Sequence, residues 1–180
     1  MDPSIDIREQ NMNFQDLIRN RYSVRAYKPD PIEQEKLNHV LEAARIAPTA
    51  ANRQPFRLIV IETEGRKSEL NQIYRKAWFV QAPLLICAVG IPAKSWVRDD
   101  MRRYLDVDIA IVMDHLILAA ADQGLGTCWV AAFNADKARE ILELPQEVEP
   151  LIFTPLGYPA DTPGSKQRKP ISDLISYNKW

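Results

Sequence analysis

Cysteine and histidine are scarce in this sequence, and their scarcity narrows the chemistry open to the protein. The 180 residues contain two Cys and two His. Cys87 and Cys128 form no CxxC motif, and no His stands at metal-ligand spacing from either. His39 and His115 accompany no serine or cysteine nucleophile motif, so a catalytic triad has no support. Because both cysteines lie in apolar stretches, we expect buried free thiols and a reducing, cytoplasmic location.

Glycine-rich phosphate-binding motifs are also missing. No GxGxxG follows the first predicted strand, and GxxxxGK[ST] occurs nowhere in the chain. These absences remove the sequence signatures of a Rossmann dinucleotide site and of a P-loop. The run Gly124-Leu125-Gly126 is too short to be such a fingerprint, and Gly124 is predicted to end the helix before it.

Long apolar runs and excess charge are missing as well. No apolar run approaches the roughly 20 residues of a membrane-spanning helix, and the start "MDPSIDIREQ" lacks the apolar core of a signal peptide. The formal net charge of −1 argues against bulk attraction to nucleic acid or to an anionic membrane. With 46% hydrophobic residues and no break in composition, we predict one domain over residues 1–180, with residues 1–12 as a flexible extension.

Apolar residues follow helical spacing in some segments and strand patterns in others. Asn13 is predicted to cap a helix over "NFQDLIRNRY", Thr63 a helix over "EGRKSELNQIY" and Asn134 a helix over "ADKAREILEL". Residues 32–46 keep helical spacing. The predicted strands are "RLIVIE", "LLICAVGI", "GLGTCWVAAF" and "PLIFTPLGYP". This alternation indicates an α/β or α+β domain, and two helices before the first strand argue against a Rossmann order.

One helix is apolar nearly all round. Between Val107 and Ala121 only Asp108, Asp114 and His115 are polar. Such a helix must be covered nearly all round, and one sheet of so small a domain cannot do it. We therefore expect a dimer with this helix at its centre. The helix's aspartates are expected to cap or to contact the partner rather than bind metal, and His115 to be a buried, hydrogen-bonded imidazole.

The tail "SDLISYNKW" is predicted to pack against another surface. It is amphipathic and ends on Tyr177 and Trp180, whose large aromatic rings are unusual in a polar terminus. The partner subunit is one surface it could cover.

The segment "APTAANRQP" has an unusual composition for a connection between a helix and a strand. It holds two prolines, three alanines and the uncharged amides Asn52 and Gln54. Small residues let a flat molecule approach closely, and fixed amides can read its hydrogen-bonding edge. The residues alone therefore indicate contact with a flat ligand.

Basic residues cluster near both ends of a chain that is otherwise neutral. "RNRYSVRAY" carries Arg19, Arg21 and Arg25, and "SKQRKP" carries Lys166 and Arg168. Each cluster alone is typical of a solvated surface. If the fold brings the two together, they predict a single anion site, because Arg and Lys bind phosphate well.

Taken in order, these segments resemble the nitroreductase family of FMN-dependent oxidoreductases. The similar blocks are "RNRYSVRAY", "APTAANRQPF", the apolar helix with "GLGTCWVAAF", and "PLGYP" followed by "KQRKP" and "YNKW". They cover the chain from about residue 14 to residue 180. The resemblance implies an α+β fold with a central, mainly antiparallel sheet flanked by helices. It also implies an intertwined homodimer with FMN at the subunit interface.

The resemblance also assigns cofactor contacts by position. The phosphate and ribityl chain fall to Arg21, Tyr22, Ser23 and Arg25, and the phosphate also to Lys166 and Arg168. The amide segment maps to Pro48, Thr49, Ala50, Asn52 and Gln54; its first part touches flavin bound to the partner subunit, and its amide side chain lies at the edge of the isoalloxazine ring. The turn beside the ring maps to Gly124, Leu125 and Gly126. Tyr22 departs from the family pattern, where a second basic residue is common. The short stretch from Pro92 to Arg103 leaves the flavin face open or covered by "KSWVRDDM" as a small lid.

The function that follows from the resemblance is reduction of flat, electron-poor acceptors. NAD(P)H would pass hydride to flavin N5 and leave, and a nitroaromatic or quinone would then be reduced at the same site by a ping-pong mechanism. No protein residue is expected to be catalytic, and no metal is expected. The alternatives are reductive dehalogenation or flavin breakdown on the same scaffold, an FMN-binding protein without turnover, and a dimer without flavin.

Overall fold

The computed structural model describes residues 13–180 and shows a four-stranded antiparallel sheet with helices on both faces. The predicted extension over residues 1–12 lies outside this range. The strand order is β1-β2-β4-β3, and every neighbouring pair is antiparallel. This confirms the α+β expectation over α/β. The elements in chain order are α1 (Phe14–Asn20), α2 (Gln34–Arg45), β1 (Phe56–Glu62), α3 (Lys67–Ile73), β2 (Leu84–Gly90), α4 (Leu105–Asp122), β3 (Gly126–Thr127), α5 (Ala135–Ile141) and β4 (Glu149–Gly157).

Two of the three predicted helix caps are confirmed. The Asn13 side chain accepts a hydrogen bond from the Asp16 amide, and the Asn134 side chain accepts one from the Lys137 amide. The prediction for Thr63 is wrong: α3 begins at Lys67, without a side-chain cap. Thr63 is buried, and its hydroxyl donates to the Ala82 carbonyl at 2.6 Å. A tertiary acceptor therefore replaces the local capping bond.

The strand predicted over "GLGTCWVAAF" is also wrong in length, because β3 contains two residues. After Thr127 the amide of Cys128 donates to the side-chain hydroxyl of Thr154 at 3.1 Å, so the backbone ladder stops there. Pairing resumes at one isolated bridge, where Val130 and Phe153 exchange both backbone hydrogen bonds.

Each face of the sheet has its own apolar core. On one face Ile86 and Leu156 pack with Met113 and Leu116 of α4. On the other face Leu85, Cys87 and Phe153 of the sheet pack with helices α3 and α5. This core also includes Leu70 of α3, Ala138 of α5 and Phe79. Both cysteines are buried and free, as expected. Burial raises the pKa of each thiol; for Cys128 the nearby Arg25 opposes part of that rise.

The described part of the chain leaves one side of α4 uncovered. Val107, Ala110, Ile111, Asp114 and His115 line an open groove of about 440 Å³ along this helix, which we call the α4 strip. The His115 ring is half-buried, and its Nδ1 lies 3.0 Å from the Ile111 carbonyl oxygen. The imidazole is hydrogen-bonded as expected, and its full burial against a partner subunit stays a prediction.

The chain after β4 carries apolar side chains that no other part of residues 13–180 covers. The exposed fractions are 74% for Ile171, 64% for Leu174 and 86% for Tyr177, and Trp180 is fully exposed. No helix of the described residues is long and apolar enough to cross a membrane.

Candidate functional site

The fold brings the two basic clusters together at one pocket. Arg21, Ser23 and Arg25 line a cavity of about 240 Å³ with Lys166 and Arg168. The Lys166 ammonium donates to the backbone carbonyls of Arg19 and Arg21, which ties the late segment to the end of α1. Desolvation lowers the pKa of Lys166, and the positive charges of Arg21 and Arg168 lower it further. Four cations thus face a common space, which we call the basic pocket.

Hydrogen bonds to β3 and to the segment after β4 hold one wall of the basic pocket in place. Ser23 pairs with Thr127 in a parallel bridge, and the Val24 amide donates to the Thr127 carbonyl at 2.9 Å. The Ala160 amide donates to the Ala26 carbonyl at 2.9 Å. The segment that carries Arg21 and Arg25 is therefore extended and fixed rather than a continuation of α1.

Asp161 organises this segment, although no pattern in the sequence pointed to it. Its Oδ2 accepts from the Arg25 amide at 2.8 Å. The Tyr22 hydroxyl donates to the Asp161 carbonyl at 2.8 Å and to Oδ1 at 3.1 Å. Burial raises the pKa of Tyr22, and the bond to Asp161 and its negative charge add to the rise. Because the hydroxyl is committed to Asp161, Tyr22 offers the basic pocket its ring.

A second cavity adjoins the basic pocket at the turn after α4. This cavity, of about 140 Å³, is lined by Gly124, Leu125 and Gly126 and shares Arg21 and Tyr22 with the basic pocket. Gly124 has φ +70°, a left-handed conformation that suits glycine after a helix, as predicted. Leu125 is buried in the core, so its backbone alone is available to a ligand. A Cβ at Gly126 would stand 2.6 Å from a methyl group of Val24, so this close approach requires glycine.

The amide segment folds into a strained loop, which we call the amide loop (Thr49–Gln54). Ala51, Asn52 and Gln54 have φ of 51°, 52° and 49°. The left-handed conformation costs a non-glycine residue about 1–2 kcal/mol. Hydrogen bonds inside the loop offset this cost: the Gln54 amide donates to the Thr49 hydroxyl at 3.0 Å, and the Gln54 side chain donates to the Asn52 side-chain oxygen at 3.0 Å. Strain of this kind persists where the surrounding structure fixes it, and it is concentrated at functional sites.

The turn of Gly124, Leu125 and Gly126, which we call the glycine turn, and the amide loop lie at opposite ends of α4. The Ala50 amide donates to Oδ1 of Asp108, in the first turn of α4, at 2.7 Å. Gly124 follows the last turn. At 1.5 Å per residue, these two positions on the helix are about 24 Å apart. Within the described chain, the amide loop lines neither the basic pocket nor the cavity of the turn.

The predicted site residues therefore form two groups in one chain. The structure joins one group at the two adjoining cavities: Arg21, Tyr22, Ser23, Arg25, Gly124, Leu125, Gly126, Lys166 and Arg168. It holds the other group at the far end of α4: Pro48, Thr49, Ala50, Asn52 and Gln54. The expected lid residues contact the amide loop, because the Ser95 carbonyl accepts from the Arg53 side chain at 3.3 Å. Next to Ser95, Trp96 packs edge-on to the Tyr104 ring, and Arg98 donates to the Tyr104 hydroxyl at 2.9 Å. Within residues 13–180, no group of three or more Asp, Glu, His or Cys side chains is placed to hold a metal ion.

Comparison with known proteins finds the same scaffold. The model of the Nitroreductase family matches residues 18–78 and 66–158. An FMN reductase [NAD(P)H] of Bacillus subtilis is 33% identical over 165 residues, which are 82% of this chain and 66% of that protein. An NADPH-dependent oxidoreductase of Staphylococcus saprophyticus is 25% identical over 182 residues, 91% of this chain and 72% of that protein. The crystal structure of a nitroreductase family protein from Clostridium difficile 630 superposes with a TM-score of 0.84 at 42% identity, covering 94% of this chain and all of that one.

Proposed function

The chain belongs to the nitroreductase family, and from this premise we propose that it reduces flat, electron-poor acceptors such as nitroaromatics and quinones by a ping-pong mechanism. As a member of this family it is an NAD(P)H-dependent oxidoreductase whose cofactor is FMN. One observation carries the proposal: four basic side chains meet at one pocket beside the turn that holds Gly124 and Gly126. These side chains are Arg21, Arg25, Lys166 and Arg168.

The donor set of the basic pocket fits the phosphate of FMN. Arg side chains can bind phosphate through two parallel N–H groups, and Lys adds a compact positive charge. Arg21, Arg25, Lys166 and Arg168 would hold the phosphate, with the Ser23 hydroxyl as a further donor. Lys166 has three N–H donors and gives two to backbone carbonyls, so one remains for the ligand. The adjoining cavity at Gly124 and Gly126 would take the ring side of the cofactor.

The protein's contribution to the reaction is binding, orientation and charge. When bound, FMN accepts a hydride from NAD(P)H and passes the two electrons to the acceptor. The side-chain N–H groups of Asn52 would donate hydrogen bonds to the ring edge and stabilise the negative charge that develops there. The Gln54 side chain donates to the carbonyl and to the side-chain oxygen of Asn52, so it would hold Asn52 in place for that contact. The left-handed loop holds both amides in an exposed position before a ligand arrives, which lowers the cost of ordering them.

A second copy of the chain would bring the two groups of site residues together. A twofold axis that crosses the α4 strip near Asp114, at the middle of α4, would set the first turn of one α4 opposite the last turn of the other. The amide loop of one copy would then face the glycine turn of its partner. The same contact would cover Val107 and Ile111, which a single chain leaves partly exposed. This homodimer, with one site at each end of the paired helices, is part of the proposal.

Mixed dimers test whether each site is shared. Lys166→Met disables the basic pocket and Asn52→Ala the amide loop, so each homodimer of a variant has two damaged sites. In a mixed dimer of the two variants, one site carries both changes and the other carries neither. We expect co-expressed, doubly tagged mixed dimers to recover about half of the native activity per dimer. A mixed dimer no more active than the better variant would contradict a shared site.

Steady-state kinetics test the ping-pong scheme. Initial rates are measured over a grid of NAD(P)H and benzoquinone concentrations. Parallel lines in the double-reciprocal plot are expected, because the first product leaves before the acceptor binds. Intersecting lines would show a ternary complex and contradict the scheme. A bound flavin that neither NADH nor NADPH reduces would instead support an FMN-binding protein without turnover.

A further inference from the structure

A buried carboxylate of α4 accepts a hydrogen bond from the backbone of the amide loop. Asp108 is 1% exposed. Its Oδ1 accepts the Ala50 amide at 2.7 Å, and its Oδ2 has no hydrogen-bond partner among the described residues. An aspartate is rarely buried so completely unless it is well paired, because desolvating a charge is costly. Among the described residues, the Ala50 amide is the only group that donates a hydrogen bond to this carboxylate, so the amide loop is the partner that the buried side chain serves.

The amide loop needs an external support at this point. Ala50 directly precedes Ala51 and Asn52, which both have left-handed backbones. The bonds between Thr49, Asn52 and Gln54 lie within the loop, so they shape it without placing it on the protein. The bond from Ala50 to Asp108 joins the loop to the first turn of α4, the longest helix of the described chain. A second tie is weaker, since the Arg53 side chain reaches the Ser95 carbonyl at 3.3 Å.

We propose that Asp108 is a positioning residue, which holds Ala50 and thereby fixes the side chains of Asn52 and Gln54 where they meet the flavin of the partner subunit. This rests on the proposed function. From the sequence, Asp108 is expected to cap the helix or to contact the partner. Its Oδ1 binds the loop and makes no cap bond in α4, and a partner contact stays a prediction. Its effect on the reaction should pass through Asn52 rather than through any direct contact of its own.

Two substitutions separate the hydrogen bond from the charge. Asp108→Asn keeps a carbonyl oxygen that can accept the Ala50 amide, whereas Asp108→Ala removes the acceptor. Should Asp108→Ala fail to fold, Asp108→Leu replaces it as an apolar residue of similar size. The matched controls are Asp136→Asn and Asp136→Ala, because Asp136 is an exposed aspartate in the first turn of α5.

Hydrogen exchange of the full chain gives a readout that does not depend on activity. In Asp108→Ala, exchange of the peptide that contains Ala50 should quicken at least tenfold, measured before FMN is added. Asp108→Asn should keep exchange within about threefold of the native protein, and both Asp136 variants should leave it unchanged. Equal exchange in Asp108→Ala and the native protein would overturn the proposal.

A double-mutant cycle with Asn52 tests the route of the effect. Asp108→Ala and Asn52→Ala should each slow anaerobic reduction of bound FMN by NAD(P)H about tenfold. If Asp108 acts through Asn52, the double variant should be no more than about threefold slower than Asn52→Ala alone. Fully additive losses, or an Asp108→Asn variant as slow as Asp108→Ala, would refute the positioning role.

The same measurements separate this proposal from the proposed function. If NAD(P)H does not reduce FMN added to the native protein, the proposed function is contradicted. Hydrogen exchange would still decide whether Asp108 holds the loop. If NAD(P)H reduces bound FMN in the native protein, and Asp108→Ala has the same reduction rate and the same hydrogen exchange, only the role of Asp108 is overturned.

Discussion

Replacing Gly126 with alanine should disturb the site and the core together. A Cβ at this position would lie 2.6 Å from one methyl carbon of Val24, 2.9 Å from its Cβ and 3.0 Å from its other methyl carbon. Val24 is 1% exposed and packs with Tyr27 and Ala82, and the open space it borders is the cavity at the turn after α4. Either its side chain would turn into that cavity, or the segment that carries Arg21 and Arg25 would shift away from β3, and both changes would alter the site.

The expected cost follows from the overlap. Forcing an extra carbon into a packed core typically costs about 1–3 kcal/mol. For a chain of this size, each kcal/mol lowers the melting temperature by about 2–4 °C, so Gly126→Ala should melt about 2–12 °C lower. Urea unfolding gives the free energy of unfolding directly. FMN titration of the same samples should show weaker binding, because the displaced segment lines both cavities through Arg21 and Tyr22.

Gly164→Ala is the matched control for stability alone, because a Cβ there meets no atom within 4 Å but Gly164 lines the basic pocket. Its stability should stay within about 0.5 kcal/mol of the native protein. Adding Val24→Ala to Gly126→Ala should cost less than the sum of the two single changes, since the second change removes the methyl groups that collide. Equal stability of the two glycine variants, or strict additivity with Val24→Ala, would refute the packing argument.

Three further predictions concern charge, assembly and pH. Lys166→Met should weaken FMN binding at least tenfold and riboflavin binding much less, since riboflavin has no phosphate; equal losses in a fluorescence titration would contradict a phosphate contact. Ile111→Glu should dissociate the dimer in sedimentation at micromolar concentration, whereas Met101→Glu, at a residue 79% exposed outside the α4 strip, should leave it intact. Burial raises the pKa of Cys87 and Cys128, so both should resist a thiol reagent at pH 8 until the protein unfolds. The folded state keeps both thiol protons to a higher pH than the unfolded state does. The protonated thiols therefore contribute fully to the free energy of unfolding below the ordinary thiol pKa, and this contribution is lost as the pH rises through the raised pKa values of the folded protein.

Local sequence signals predicted the elements that depend on local bonds. The caps at Asn13 and Asn134 and the left-handed end at Gly124 each need a few neighbouring residues, and all three are present. Thr63 and Cys128 use tertiary partners instead, the Ala82 carbonyl and the Thr154 hydroxyl. No short pattern in the sequence could reveal those partners.

The candidate site shows the same division. The basic residues and the amide loop were identifiable because their composition is unusual for a chain of net charge −1. Asp161 was missed, since its role depends on contacts with Tyr22 and Arg25 far away in the sequence. Asp108 was noticed only as a polar residue in an apolar helix, and its contact with Ala50 appears only in the folded chain. The single domain, the cytoplasmic location and the individual FMN contacts stay predictions.

The visible absorption spectrum of the freshly purified protein tests the central claim most directly. We predict a flavin spectrum that bleaches on anaerobic addition of NADH or NADPH and returns when a quinone is added. The donor that bleaches it faster identifies the preferred nicotinamide. A colourless protein that cannot be loaded with FMN would contradict the account.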